Sequence, residues 1–335
     1  MLISWNTTQA CNIHCLHCYR DAGDSLHDEL TTEEGKKLLQ EAAACGFRIF
    51  VFSGGEPLLR PDLAELIAYA KSVGLRPVLG TNGILLTPEK IAELKQAGLA
   101  AAGISVDSVS AGKHDWFRQS AGAWEATMAG IRACREAGLP FQIHTTVMDW
   151  NEAETLDITD KAVEWGAVAH HIFFLVPTGR GGNIKGRSLP VAQQEALLER
   201  ILEKQRRVSI ELKPTCAPQF MRIAAQKQMP MRFSKGCIAG TAYCVILPNG
   251  DLQPCPYFPL KAGNVRKSGF ANLWRESPLF EDLRRAELSG QCGVCGYQNV
   301  CGGCRARAWY ASGDYLSEDP HCILTGNQEE AAKNA

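Results

Sequence analysis

Cys11, Cys15 and Cys18 stand in CNIHCLHC, a CxxxCxxC run, and are the first residues of the chain whose type and spacing imply chemistry. Three thiolates so spaced can wrap one face of a cubic 4Fe–4S cluster and leave the fourth iron open to an exogenous ligand. Zinc is the competing ion, with His14 or His17 completing its site. A second group lies toward the other end: Cys237, Cys244 and Cys255, then Cys292-x2-Cys295-x5-Cys301-x2-Cys304, and finally Cys322. These eight thiols are enough for two further 4Fe–4S clusters of four ligands each, although CxxC pairs also build zinc ribbons. Of the fourteen cysteines, three remain. Cys45 and Cys134 fall on predicted helices and read as buried hydrophobes, while Cys216 in KPTCAPQ is left open.

The elements that must position these thiols follow from hydrophobic period. Apolar runs at 2–8, 47–53, 75–81, 99–106, 140–147 and 167–176 predict strands, and amphipathic stretches at 32–45, 61–73, 88–97, 122–137 and 151–165 predict helices. Thr31-Thr32-Glu33-Glu34 and Thr87-Pro88-Glu89 are helix starts, and Gly46, Gly74, Gly98 and Gly138 are stops. Repeated strand–helix units predict a parallel α/β sheet, open or barrel-like, with chemistry at the C-terminal ends of its strands. The CxxxCxxC loop follows the first strand. Ser53-Gly54-Gly55-Glu56-Pro57 follows the second, Thr81-Asn82-Gly83 ends the third, Ser105 and Asp107 the fourth, and Val176-Pro177-Thr178-Gly179 the sixth. A glycine pair lets backbone approach a ligand closely, and a carboxylate is the natural partner of an ammonium.

Beyond the sixth strand, 178–190 reads as a loop and 190–206 as a helix. The stretch 236–322 is turn-rich and cysteine-dense, better stabilised by metal than by its own core. The expected divisions are a core at 1–180, a bridge at 181–235, a metal-binding segment at 236–324 and a disordered tail at 325–335.

Composition bounds the rest. The 335 residues are 45% hydrophobic and 21% charged, with a formal net charge of -1, which argues against nucleic acid as the main partner. No apolar run approaches the ~20 residues of a membrane span, and the N-terminus lacks a signal-peptide pattern. A cytoplasmic protein is expected, and in that reducing compartment clustered cysteines point to metal or redox work.

With CxxxCxxC after strand one and GGEP after strand two, the chain resembles the radical S-adenosylmethionine superfamily. That resemblance implies a partial (β/α)6 barrel and a 4Fe–4S cluster on Cys11, Cys15 and Cys18. It also implies that Gly54, Gly55 and Glu56 contact the methionyl amino group, that Asn82, Ser105 and Asp107 serve the ribose and carboxylate, and that Thr178 lies near the adenine. His17 stands where the family usually has an aromatic residue. The implied chemistry is reductive cleavage of S-adenosylmethionine to a 5′-deoxyadenosyl radical that abstracts a substrate hydrogen. The C-terminal cysteines resemble the SPASM extension, with Gly250 and Cys255 matching its G-x4-C. By that resemblance Cys237, Cys244, Cys255 and Cys304 hold one auxiliary cluster, and Cys292, Cys295, Cys301 and Cys322 the other, three clusters in all. Cys301-x2-Cys304 is one residue shorter than the usual spacing.

Several stretches, among them SWNTTQACNIHCLHCYRDAG, KHDWFRQSAGAWEATMAGIRACREAGLPFQIHTTV, FFLVPTGRG and ELKPTCAPQFMRIA, are similar to radical enzymes of haem biosynthesis, most of all the siroheme-dependent haem synthases. This implies oxidative decarboxylation of two propionates of iron-coproporphyrin III to vinyls, with an external electron donor and acceptor. Related deacetylases, haem d1 enzymes and SPASM peptide maturases are the alternatives. For such a substrate Arg180, Lys213, Arg222, Arg305 and Arg307 are candidate partners of carboxylates. His144, His170 and His171 are candidate iron ligands, though core histidines are the better expectation.

Overall fold

Along the first strand, β1 (Leu2–Asn6), side chains alternate between two environments. Ile3 and Trp5 are fully buried in the main core, whereas Ser4 and Asn6 face an interior cavity. The computed structural model, which describes residues 1–325, repeats this alternation strand after strand. The tail expected at 325–335 lies, apart from Thr325, outside the described residues. Core-facing Phe50 and Phe52 alternate with cavity-facing Val51 and Ser53 on β2 (Ile49–Ser53). On β5 (Phe141–Val147), Phe141 and Ile143 alternate with His144 and Thr146 in the same way. A period of two on a sheet with one face against helices requires this.

The other strands are β3 (Arg76–Thr81), β4 (Ala101–Ser105), β6 (Ala169–Phe174), β7 (Glu211–Thr215), β8 (Tyr243–Ile246), β9 (Asp251–Gln253) and β10 (Gly263–Asn264). All ten form one sheet in the order β10-β9-β8-β1-β2-β3-β4-β5-β6-β7. From β8 through β1 to β7 every pairing is parallel, and β9 and β10 add antiparallel strands at one edge. Since β7 and β10 are the two edges, the barrel is partial and open, as expected.

Helices α1 (Thr32–Ala44), α2 (Leu63–Ser72), α3 (Pro88–Ala97), α4 (Ala111–Arg118), α5 (Ala123–Glu136) and α6 (Thr155–Trp165) connect the first six strands, followed by α7 (Val191–Gln205) and α8 (Gln219–Gln226). Thr31 and Glu34 form the reciprocal capping box that the sequence predicts for α1. Thr87 caps α3, which stops at Gly98 in the left-handed region.

Five elements depart from expectation: α4, β7 and the three strands β8, β9 and β10. Helix α4 is short, and its apolar residues are too few to set a period. Strand β7 lies inside the presumed bridge; ELKPT is short and carries Pro214, which an edge strand tolerates. Strands β8, β9 and β10 come from the cysteine-rich segment, which therefore extends the barrel sheet. That segment ends in α9 (Val265–Ser268), α10 (Phe270–Glu276), α11 (Pro278–Arg285), α12 (Gly290–Val294) and α13 (Arg305–Ser312). Phe270 and Trp274 of α10 pack edge-on against Phe47, tying α10 to the core. No helix among the described residues is long and apolar enough to cross a membrane.

Candidate active site

Cys11, Cys15 and Cys18 converge on one wall of an open cavity of about 1320 Å³ at the C-terminal ends of the barrel strands. Gly54, Gly55, Thr81, Asn82 and Ser105 line it beside them. The loop bearing the thiols is pinned by its own backbone and its neighbours. Cys11 N donates to Gly23 O at 2.8 Å, and Gly55 N and Glu56 N donate to Thr8 O and Ala10 O at 2.8 and 2.7 Å. A Cβ on Gly55 would sit 2.1 Å from Ala10 O, so the glycine pair is required by the packing of two loops as well as by any ligand.

Burial, with the neighbouring acids, raises the Cys11 thiol to about 11 and pushes Cys15 up as well. Such thiols ionise when a cationic centre binds them, which fits an iron–sulfur cluster on this set. Among the described residues no three His, Cys, Asp or Glu side chains converge as the ligands of a single ion would. The thiols ring a volume rather than a point.

Two carboxylates singled out in the sequence turn out to hold the scaffold. Glu56 is fully buried, accepting from Leu58 N at 3.1 Å, Thr81 Oγ1 at 2.8 Å and Asn82 N at 2.9 Å. Its carboxylate ties the glycine loop to the end of β3. Burial, only partly offset by those bonds, raises its pKa to about 7.

Asp107 is also fully buried, accepting from Arg118 Nε at 2.7 Å and from Thr146 N at 2.8 Å. Burial alone would raise the Asp107 pKa, but Arg118 holds it low. Sequence reasoning missed Arg118. It ends α4, lines the cavity, and directs Nη1 toward Cys15 Sγ at 3.8 Å. KHDWFRQ was in view, but without α4 nothing indicated which way its arginine faced. His17 stacks on Phe117 with centroids 4.2 Å apart, and its Nδ1 is buried without a partner. Burial brings its pKa down to about 3, so a neutral imidazole faces the cavity.

The C-terminal thiols divide into two groups, though not as the resemblance implied. Cys216, Cys237, Cys255 and Cys304 are mutual electrostatic neighbours, with Cys216 and Cys255 packed against Cys304. Cys244 is not among them. Strand alternation turns Tyr243 and Val245 to the cavity, and Cys244 and Ile246 to the main core, where the thiol is fully buried. Cys216, just beyond β7, takes its place with φ at 61°. The second group, Cys292, Cys295, Cys301 and Cys322, surrounds one hollow.

Three candidate substrate arginines belong to this region rather than to the cavity. Arg222 pairs with both oxygens of Glu195 at 2.6 Å. Arg305 donates to Tyr315 O at 3.0 Å and lies 3.6 Å from Cys292 Sγ. Arg307 pairs with the fully buried Asp319 at 3.3 Å and donates to Cys216 O at 2.6 Å.

Arg180 does line the cavity, but it braces the cysteine loop through Cys15 O at 3.0 Å and Ala22 O at 2.7 Å. Lys213 lies over the Phe233 ring at 4.6 Å. Thr178 accepts from the Tyr310 hydroxyl at 2.9 Å. His170 is a core histidine bonded to Thr159 and Thr145 at 2.9 and 2.8 Å. His144 lines the cavity, stacked on His171 at 5.3 Å, with Nε2 buried and unpartnered.

This arrangement agrees with comparison to known proteins. The radical SAM superfamily matches residues 5–162, and the SPASM iron–sulfur cluster-binding domain matches 237–304. An AdoMet-dependent heme synthase of Methanosarcina barkeri is 44% identical, the alignment covering 96% of each chain. The Fe-coproporphyrin III synthase of the same organism is 30% identical over 97% of this chain and 88% of its own. Streptococcus suis SuiB bound to S-adenosylmethionine has the same fold, with a TM-score of 0.77 at 16% identity over 96% of this chain and 77% of SuiB. A cysteine loop, a glycine loop and two further thiol sets at the places such enzymes require, with identity of this extent, assign the chain: it belongs to the radical SAM superfamily and, within it, to the family of the AdoMet-dependent heme synthases.

Proposed function

We propose that the protein oxidatively decarboxylates two propionates of iron-coproporphyrin III to vinyls, giving haem b. The observation that carries this reading is the layout of the cavity. Cys11, Cys15 and Cys18 stand on one wall, and Tyr257 and Val176, which pack on the Cys216 set, stand on another. A radical source and an electron sink thus border the same space. When bound at Cys11, Cys15 and Cys18, a 4Fe–4S cluster with S-adenosylmethionine supplies the radical that removes a hydrogen atom.

The chain's own residues position and exclude. Gly54, Gly55, Asn82 and Ser105 shape the cofactor side, and Thr178, between the cavity-lining Val176 and Arg180, lies toward the adenine. Glu56 and Asp107 hold that side rigid from behind, while Arg118, paired with Asp107, directs Nη1 to the cavity wall beside Cys15. Each propionate loses a β-hydrogen, carbon dioxide and one electron. Cys216, Cys237, Cys255 and Cys304 hold the auxiliary cluster nearer the substrate, and Cys292, Cys295, Cys301 and Cys322 the farther one. This makes three clusters and about twelve irons per chain. An external donor and acceptor complete the cycle, in the reducing cytoplasm.

The test is anaerobic incubation of reconstituted protein with reductant, S-adenosylmethionine and iron-coproporphyrin III. The expected products are 5′-deoxyadenosine and porphyrins lighter by one and then two carboxyl groups. Loss of acetate groups from a siroheme-type substrate, with iron-coproporphyrin untouched, would point to the deacetylase instead.

The ligand exchange has its own test. Cys216→Ala should lower the iron count by about four and remove one auxiliary signal in electron paramagnetic resonance, whereas Cys244→Ala should keep the full count. The reverse outcome would restore Cys244 as the ligand.

A further inference from the structure

We infer that Tyr257 is the contact through which the electron released at the substrate reaches the Cys216 thiol set, an inference that rests on the decarboxylase reading above. Tyr257 borders both places. It lines the cavity beside Pro256, and its ring meets that of Tyr19 with centroids 5.3 Å apart. The same residue packs in the small cluster that contains Cys216, Cys255 and Cys304. Its side chain thus adjoins the Cys216 and Cys255 thiols.

The other two tyrosines on this wall have their hydroxyls engaged elsewhere. Tyr19 donates to Asn6 Oδ1 at 3.2 Å, and Tyr243 to Ser4 Oγ at 3.1 Å. Of the three, Tyr257 is the one that packs in the cluster of Cys216, Cys255 and Cys304.

The chemistry needs such a joint once per propionate. The β-carbon–hydrogen bond breaks and the hydrogen atom goes to the 5′-deoxyadenosyl radical. The bond to the carboxyl carbon then breaks, carbon dioxide leaves, the vinyl double bond forms and one electron is left over. Cys216, Cys237, Cys255 and Cys304 would hold the 4Fe–4S cluster that, when oxidised, would accept that electron. Tyr257 is not itself oxidised: its ring fills the gap, so the electron crosses packed atoms rather than a void.

The test compares Tyr257→Leu and Tyr257→Phe in the fully reconstituted enzyme. In Tyr257→Leu, 5′-deoxyadenosine should still form, while vinyl product per 5′-deoxyadenosine falls about tenfold. The resonance of the reduced auxiliary cluster during turnover should fall with it. Wild-type coupling in this variant, with all iron retained, overturns the inference. If Tyr257→Leu loses iron, Tyr257→Phe decides. It keeps the ring but removes the hydroxyl beside the cluster thiolates, so the auxiliary reduction potential should drop in a titration followed by paramagnetic resonance. An unchanged potential overturns the contact. Failure of the underlying reading shows separately, as wild-type enzyme that cleaves the cofactor but leaves iron-coproporphyrin unaltered.

Discussion

The barrel and the stretch 286–325 hold their thiols by opposite means. Around the cysteine loop the scaffold is apolar: Trp5, Phe50, Phe52, Phe141 and Ile143 are each at most 1% exposed in one continuous core. Each such side chain contributes about 1.5–3 kcal/mol by leaving water. In 286–325 the buried apolar residues are only Cys301, Cys304, Ala306 and Ala308. Its interior is a charged lattice instead, in which Asp319 accepts from Cys304 N at 2.7 Å, Gln219 Nε2 at 2.8 Å and Arg307 at 3.3 Å. A region assembled from thiols and buried charge folds with its metal; a loop mounted on an apolar barrel does not need to.

The sharpest way to break this contrast is to empty the barrel site. Replacing Cys11, Cys15 and Cys18 together by alanine should abolish formation of 5′-deoxyadenosine. The loop keeps its backbone bonds and its brace from Arg180, so circular dichroism and the thermal midpoint should change little. Iron should fall by about four per chain, leaving the auxiliary clusters. A variant that unfolds would show that the barrel, too, depends on metal. One that still cleaves the cofactor would remove these cysteines from the site.

The second test strikes the charged lattice. Asp319→Ala leaves Arg307 buried without its counter-charge, a loss of about 3–5 kcal/mol. Auxiliary iron should then be lost and 286–325 become open to limited proteolysis, while the barrel cluster and its cofactor cleavage persist. Retention of all iron would mean that the thiol sets assemble without the lattice.

The same contrast explains what could be read in advance. The parallel sheet and the placing of Cys11, Gly54, Asn82 and Ser105 at strand ends were legible, because apolar period marks strands and strand ends mark sites. Cys216 obeys the same strand-end rule, but β7 was hidden by its proline and its length. Cys244 was placed among the ligands by the resemblance, and only the alternation of β8 turns it into the core. Charge misled in a consistent direction. Arg222, Arg305 and Arg307 seemed free for a substrate because their partners Glu195, Tyr315 and Asp319 are remote in sequence or outside any regular element. For a buried carboxylate such as Glu56, too, sequence shows the group and not the donors folded around it.

Glu56 also supplies the smallest test, one of whether the barrel carries its polar groups by scaffold alone. Its folded pKa is raised to about 7 by burial, from an ordinary value of 4.5. Between those values the folded protein holds a proton that the unfolded chain has released. Stability from this group is therefore fully present below the unfolded pKa and is lost as pH rises through the folded one. The loss amounts to about 3 kcal/mol. Glu56→Gln is neutral at every pH and removes the dependence, though its amide sets an N–H against one of the donors from Leu58, Thr81 or Asn82, a cost of about 1–3 kcal/mol. Buried histidines such as His17 and His170, whose pKa values burial lowers to about 3, change stability in the opposite sense, so the informative quantity is the difference between the two proteins. Denaturant unfolding at several pH values from 5 to 8 should show wild type ahead by the widest margin at the acid end, with the margin shrinking by about 3 kcal/mol toward pH 8. A margin that stays constant with pH would mean that the folded loop stabilises the Glu56 charge as well as water does.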